Sequence, residues 1–230
     1  MIPLLHAALV LFLILVFPVW DRRETRRLKA GPSPARRIRS YQKTIAWLWA
    51  ATLLLLATRP WIELNAPPPG HGLDGHESLS VWLSLPLLLG LFLPVVAAWK
   101  SPRSREAMRA QFASLDFFLP QTAPERYWFA AVSVSAGICE EIIFRGFLID
   151  YLVGLPFGLG VWPATFVAAL VFGIDHGYQG WKGVIVTGFT ALAFSGIFFV
   201  SGSLWLPIAI HILIDLRALL LSKVVQEQAA

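Results

Sequence analysis

A chain of 230 residues that is 57% hydrophobic and only 14% charged is not a soluble domain of ordinary make-up, in which about 25% of residues are charged. Its net charge of +5 does not point to nucleic acid, because nine of the nineteen Lys and Arg fall in residues 21–43, directly after an apolar run. There such a block sets membrane topology and meets anionic lipid. The single cysteine, Cys139, excludes an intrachain disulfide and a cysteine-only metal cluster.

Apolar runs near residues 2–20, 44–62, 80–99, 126–153, 157–176, 182–200 and 204–222 are each long enough to cross a bilayer. The expected fold class is therefore all-α, a polytopic membrane bundle of about seven transmembrane helices. The first run has no basic residue before it and no small-residue cleavage site after it, so it reads as a retained anchor rather than a signal peptide. The 21–43 segment is read as a basic loop. The 65–79 loop has no Lys or Arg, and the 100–125 segment is basic again through Lys100, Arg103, Arg105 and Arg109. This alternation predicts the N-terminus outside and the C-terminus in the cytoplasm, with Arg59 as the one residue against the trend. Trp20, Trp61, Trp99, Trp162 and Trp205 mark run ends, as an aromatic belt would. Met108, Phe112, Leu115 and Leu119 recur at helical spacing, which fits either an amphipathic helix on the cytoplasmic surface or a polar loop. Thr122 and Glu125 form a capping box that starts the fourth span. The domains expected are an N-terminal transmembrane region (1–122), a four-span core (123–222) and a cytoplasmic tail (223–230).

Ionisable residues inside the spans are concentrated in the C-terminal half. A charge at mid-bilayer costs about 2.5–3.5 kcal/mol on insertion scales, so it needs a partner, a wet cavity or a function. Glu141 and Arg145 stand four apart and predict a structural pair on one helix face. Glu140 points about 100° away and is left without a partner in its own helix. An unpaired buried carboxyl is suited to act as a base, although a packing role with a basic group elsewhere is the plain alternative. His176 ends the run FGIDH with Phe172 one turn earlier. His211 and Asp215 share a face of the last span. Cys139 reads as packing, and His71, Asp74, His76 and Glu77 read as a solvated external loop rather than a metal site.

These motifs, Glu140, Glu141 and Arg145, then Phe172 and His176, then His211 and Asp215 within SGSLWLPIAIHILID, resemble the CAAX protease and bacteriocin-processing (CPBP) family of intramembrane proteases. That family includes the eukaryotic endopeptidase acting on prenylated CAAX proteins. The resemblance covers about residues 123–222. It implies that Glu140 activates a water for attack on the scissile carbonyl, that His176 helps to hold that water, and that His211 and residue 215 stabilise the oxyanion. Many members carry Asn at the last position. An ionised Asp215 cannot donate a hydrogen bond, so it must either be protonated or act by orienting His211. Glu140, His176 and His211 would also compose a His₂Glu zinc site. A Glu bound to zinc is not free as a base, and HExxH is absent, so no cofactor is expected, with a divalent metal such as zinc left open. The expected partners are a peptide or membrane-protein substrate and the bilayer, with no nucleic acid. The expected location is the plasma membrane of a prokaryote. Two rival readings are a small proton-coupled transporter, which predicts two related halves that the sequence lacks, and a catalytically silent binding or immunity protein of the same fold.

Overall fold

The computed structural model describes residues 2–70 and 77–226, and every regular element among them is helical. Helix α1 runs over Ile2–Ala30. The basic block after residue 20 is therefore no loop. Arg, Lys and Glu are good helix formers, so α1 continues through them, and α2 (Pro34–Thr58) begins ten residues before its apolar run. Only Gly31, Pro32 and Ser33 lie between the two helices, and Ser33 caps α2 by accepting from Arg36 N at 3.4 Å. Within α1 a π-turn over Phe12–Val16 precedes Pro18. A proline cannot donate to the preceding turn, and the wider turn makes room for its ring. The second run also ends early. Helix α2 stops at Thr58, and Trp61–Leu64 forms a separate turn after Pro60, because the residue before a proline leaves the helical region.

Helices α3 (Glu77–Lys100) and α4 (Pro102–Phe112) follow, so the 102–112 segment is a helix rather than a polar loop. Helix α5 spans residues 123–153 in three continuous parts, Ala123–Glu141, a π-helical Ile142–Leu148 and Ile149–Val153. Its capping box is formed, with Thr122 and Glu125 each bonding the other's backbone N–H. Helices α6 (Val161–Asp175), α7 (Gly180–Ser201) and α8 (Trp205–Gln226) complete the chain. The helix thus runs into the expected tail. Residues 227–230, and His71, Asp74 and His76 of the segment read as an external loop, lie outside the described residues, while Glu77 of that segment opens α3 rather than lying in a loop.

Two helices, Ile2–Ala30 and Gly177–Ser201, are long and apolar enough to cross a membrane, while Val161–Asp175 and Ser84–Lys100 are apolar but shorter. The surface of the bundle is apolar where a soluble protein would be polar. Leu4, Phe166, Trp181 and Phe189 are between 60% and 76% exposed. Exposed apolar side chains spread over several helices are what a lipid-facing surface requires.

The core gathers around α5, which packs on α2 along one side and on α8 along another. At one end of the bundle Arg37 is buried, paired with Glu125 at 2.5 Å and donating to Gln121 Oε1 at 3.0 Å. One of the cations read as facing lipid is thus a tie between α2 and the start of α5. Burial opposes ionisation of Glu125, but hydrogen bonds from Thr122, Arg37 and the backbone of residues 121–122 outweigh it and hold the carboxyl below its ordinary range. Tyr41 donates its hydroxyl to Phe118 O, which fastens the segment before α5 onto α2. At the opposite end Arg59, the residue against the charge trend, pairs with Asp150 at 2.6 Å. That contact also accounts for one of the charges in the fourth span.

The approach of α5 to α8 is set by Gly137. A methyl group there would stand 2.5 Å from Ile212 Cγ1 and 2.9 Å from Ile212 N. A backbone atom cannot rotate aside, so Gly137→Ala must push α8 away from α5. Overpacking of this kind costs about 1–3 kcal/mol. We expect Gly137→Ala to lower the thermal unfolding midpoint in detergent and, because His211 is the residue before Ile212, to lower activity as well. A variant as stable and active as the wild type would show that the close approach is not needed.

Candidate active site

The side chains singled out from the sequence come from α5, α6 and α8 and line one cavity of about 310 Å³. Glu140, His176, His211 and Asp215 all face it, together with Phe172 and Asp175. The cavity extends past Asp21, Glu24 and Leu28 of α1 and Ser40 of α2 to Leu115–Leu119. Its far reach therefore lies at the end of the bundle that carries the basic block.

Glu141 is fully buried and its Oε1 has two partners, Arg145 at 3.1 Å and His211 Nδ1 at 2.7 Å. A carboxylate paired with a guanidinium only accepts, so His211 Nδ1 carries a proton and donates it. This fixes the ring and turns Nε2 towards Glu140 Oε2, 3.8 Å away, and Asp215 Oδ2, 3.7 Å away. Both distances exceed a hydrogen bond. The sequence spacing predicted the Glu141–Arg145 contact, but nothing in it placed His211, seventy residues later, on the same carboxylate. Glu141 is a junction between an ion pair and a histidine, the arrangement by which a buried carboxylate orients a catalytic imidazole.

Arg145 is held on every side. Its guanidinium also donates to Ala191 O at 3.3 Å and lies over the rings of Phe172 at 4.5 Å and Phe194 at 5.4 Å. It sits in the π-helical part of α5, where the wide turn opens the regular hydrogen-bond pattern just after Glu141. Uniformly apolar neighbours give no sequence signal for that turn.

His176 follows the last residue of α6. Its Nδ1 is 2.8 Å from Phe172 O, and a carbonyl only accepts, so Nδ1 is the protonated nitrogen. Nε2 is left as the ring's free acceptor. Phe172 therefore does three things: it bonds His176 through its carbonyl, lies tilted against that ring with centroids 4.5 Å apart, and meets Arg145 through its face. Glu140 Oε2 is shut from solvent and has no hydrogen-bond partner. Cys139 is buried in the core. Among the cavity residues to which the sequence assigns no role are Asp175 and Tyr178. They lie one and two residues from His176 in the chain, where a lone acid or phenol at a helix end carries no motif.

For zinc, which one Glu and two His suggest, the donor set does not fit as arranged. Among the described residues no group of three or more His, Cys, Asp or Glu is placed to hold a metal ion.

The described residues thus form a helical bundle with an apolar surface and a buried carboxylate–histidine cluster. Residues 122–217 match the family model described as type II CAAX prenyl endopeptidase Rce1-like, so this segment is similar to the CAAX protease family that its motifs resemble. The family is one of membrane proteases. No curated protein and no solved structure matches the chain.

Proposed function

We propose that this chain is an intramembrane endopeptidase that hydrolyses a peptide bond with a water activated by Glu140. The observation that carries the reading is the convergence of Glu140, His176, His211 and Asp215 on one cavity, with a Glu140 oxygen left unpartnered there. In this mechanism Glu140 takes a proton from a water as the water oxygen bonds to the scissile carbonyl carbon. His176, held through Nδ1, accepts from the same water at Nε2. The carbonyl oxygen becomes an oxyanion beside His211, whose protonated Nε2 donates to it, while Asp215 steadies that ring. When the tetrahedral carbon collapses, the C–N bond breaks and Glu140 returns its proton to the leaving amine. Glu141 and Arg145 position His211 and do not touch substrate. In this mechanism Glu140 acts as a free base and no metal is required.

Around this site we read seven crossings, with the N-terminus outside and the cavity opening to the cytoplasmic side of a prokaryotic plasma membrane. The alternation of basic and non-basic segments supports this. Reporter fusions at the C-terminus and in the 65–79 loop should report opposite sides, and reports from the same side would reverse the topology.

The activity is tested with purified protein in liposomes, incubated with a proteome-derived peptide library and read by mass spectrometry of new termini. We expect new termini to form at the same rate with and without a strong zinc chelator. No new termini would overturn the protease reading. Loss on chelation with recovery on added zinc would overturn the metal-free mechanism.

A further inference from the structure

Asp175 has no role in the mechanism above and is poorly placed for a merely structural residue. It is 6% exposed, and among the described residues neither carboxyl oxygen has a hydrogen-bond partner. It is the last residue of α6, the negative end of a helix, where an acid is disfavoured. Its neighbours do not relieve it, since the charges it feels are those of Glu140 and Asp21. A buried carboxylate without a partner is costly. Here the chain keeps one on the wall of a cavity.

The other charges around the cavity are already engaged. Glu24 is bound by Arg27 at 2.9 Å and Lys43 at 2.8 Å. Asp215 faces His211 and lies within reach of the charge of Arg217. His176 gives its Nδ1 proton to a backbone carbonyl. Arg217 is the one Lys or Arg among the described residues that line the cavity, and the charge acting on it is that of Asp215 rather than Asp175.

We propose that Asp175 is the floor of a cation subsite, with Asp21 lining the same cavity, that receives a Lys or Arg side chain of the substrate close to the scissile bond. The proposal rests on the protease reading for the word substrate, but not for the binding of a cation. An entering ammonium would supply the hydrogen bonds that both Asp175 oxygens lack, and its aliphatic stem would lie against the apolar wall made by Phe172 and Phe144. Because Asp175 and Glu140 share the cavity, a substrate held this way would present a peptide bond a short distance from the base.

Two measurements test this separately from proteolysis. First, hexylammonium chloride should raise the unfolding temperature of the wild-type protein in detergent, hexanol at the same concentration should not, and Asp175→Asn should abolish the difference. Second, for a peptide cleaved by the wild type, replacing the Lys or Arg nearest the cut by norleucine should lower kcat/KM by about tenfold or more, the scale of one charge-assisted hydrogen bond. Asp175→Asn should bring that ratio towards one, and Asp175→Glu should retain most of it. Should Asp175→Asn not fold, the hexylammonium comparison on the wild type and on Asp21→Asn still decides. Equal effects of hexylammonium and hexanol on the wild type, or cleavage with no preference for a basic residue, would overturn the subsite. Specific stabilisation by hexylammonium without cleavage of any peptide would leave the subsite standing and remove the protease reading.

Discussion

Replacing Arg145 by alanine is expected to cost the protein its fold. Arg145 is 2% exposed and Glu141 is fully buried, and breaking a buried ion pair by removing one partner costs about 3–5 kcal/mol, because the other charge is stranded. Folded globular domains hold a margin of only about 5–15 kcal/mol. The loss here would be larger than the pair alone, since Ala191 O loses its donor and the Phe172 and Phe194 rings lose the cation between them. The expected readout is low monodisperse yield and a strongly lowered unfolding temperature. The double variant Glu141→Leu with Arg145→Met removes both charges together and should recover much of the fold. It should not recover activity, because His211 Nδ1 then has no carboxylate to hold it. A well-folded but inactive Arg145→Ala would place Arg145 in the chemistry instead.

The apolar character of the helices and the side chains that meet in the cavity could be read from the sequence because both follow from the cost of polarity in lipid. Long apolar runs, and the few charges within them, are visible one residue at a time. What escaped were relations between distant residues and the ends of helices. The basic block looked like a loop because its charge marks the membrane boundary, but a helix does not stop where lipid stops, and Arg, Lys and Glu carried α1 on to Ala30. Arg37 looked like one more lipid-facing cation, and only the fold reveals Glu125, eighty-eight residues away, as its partner.

The same limit applies to the site. The i,i+4 rule gave Glu141 and Arg145, because helix geometry alone places them together. It also put His211 and Asp215 on one face. It could not say that α8 crosses α5 at Gly137, and so could not bring His211 to Glu141. A glycine in an apolar helix has many explanations, and only the Ile212 backbone beside it shows which one applies. Asp175 was visible as a charge at the end of an apolar run. Its lack of any hydrogen-bond partner is a property of the packed bundle and leaves no trace in the local pattern.

The claim on which the account turns is that Glu140 is the base. Glu140→Gln keeps the size and shape of the side chain and removes its ability to take a proton. It also removes a charge from a cavity that already holds other carboxylates, so it should leave folding intact. Positioned acid–base groups contribute about 10²–10⁴ in rate, and Glu140 is asked both to take the proton from water and to deliver it to the amine. The decisive measurement is kcat on one peptide that the wild type cleaves, compared between wild type and Glu140→Gln, with an unfolding curve for each. We predict superimposable unfolding and a fall in kcat of about 10²-fold or more. A folded Glu140→Gln that cleaves within a few-fold of the wild type would show that another group activates the water, and the mechanism proposed for this cavity would be wrong.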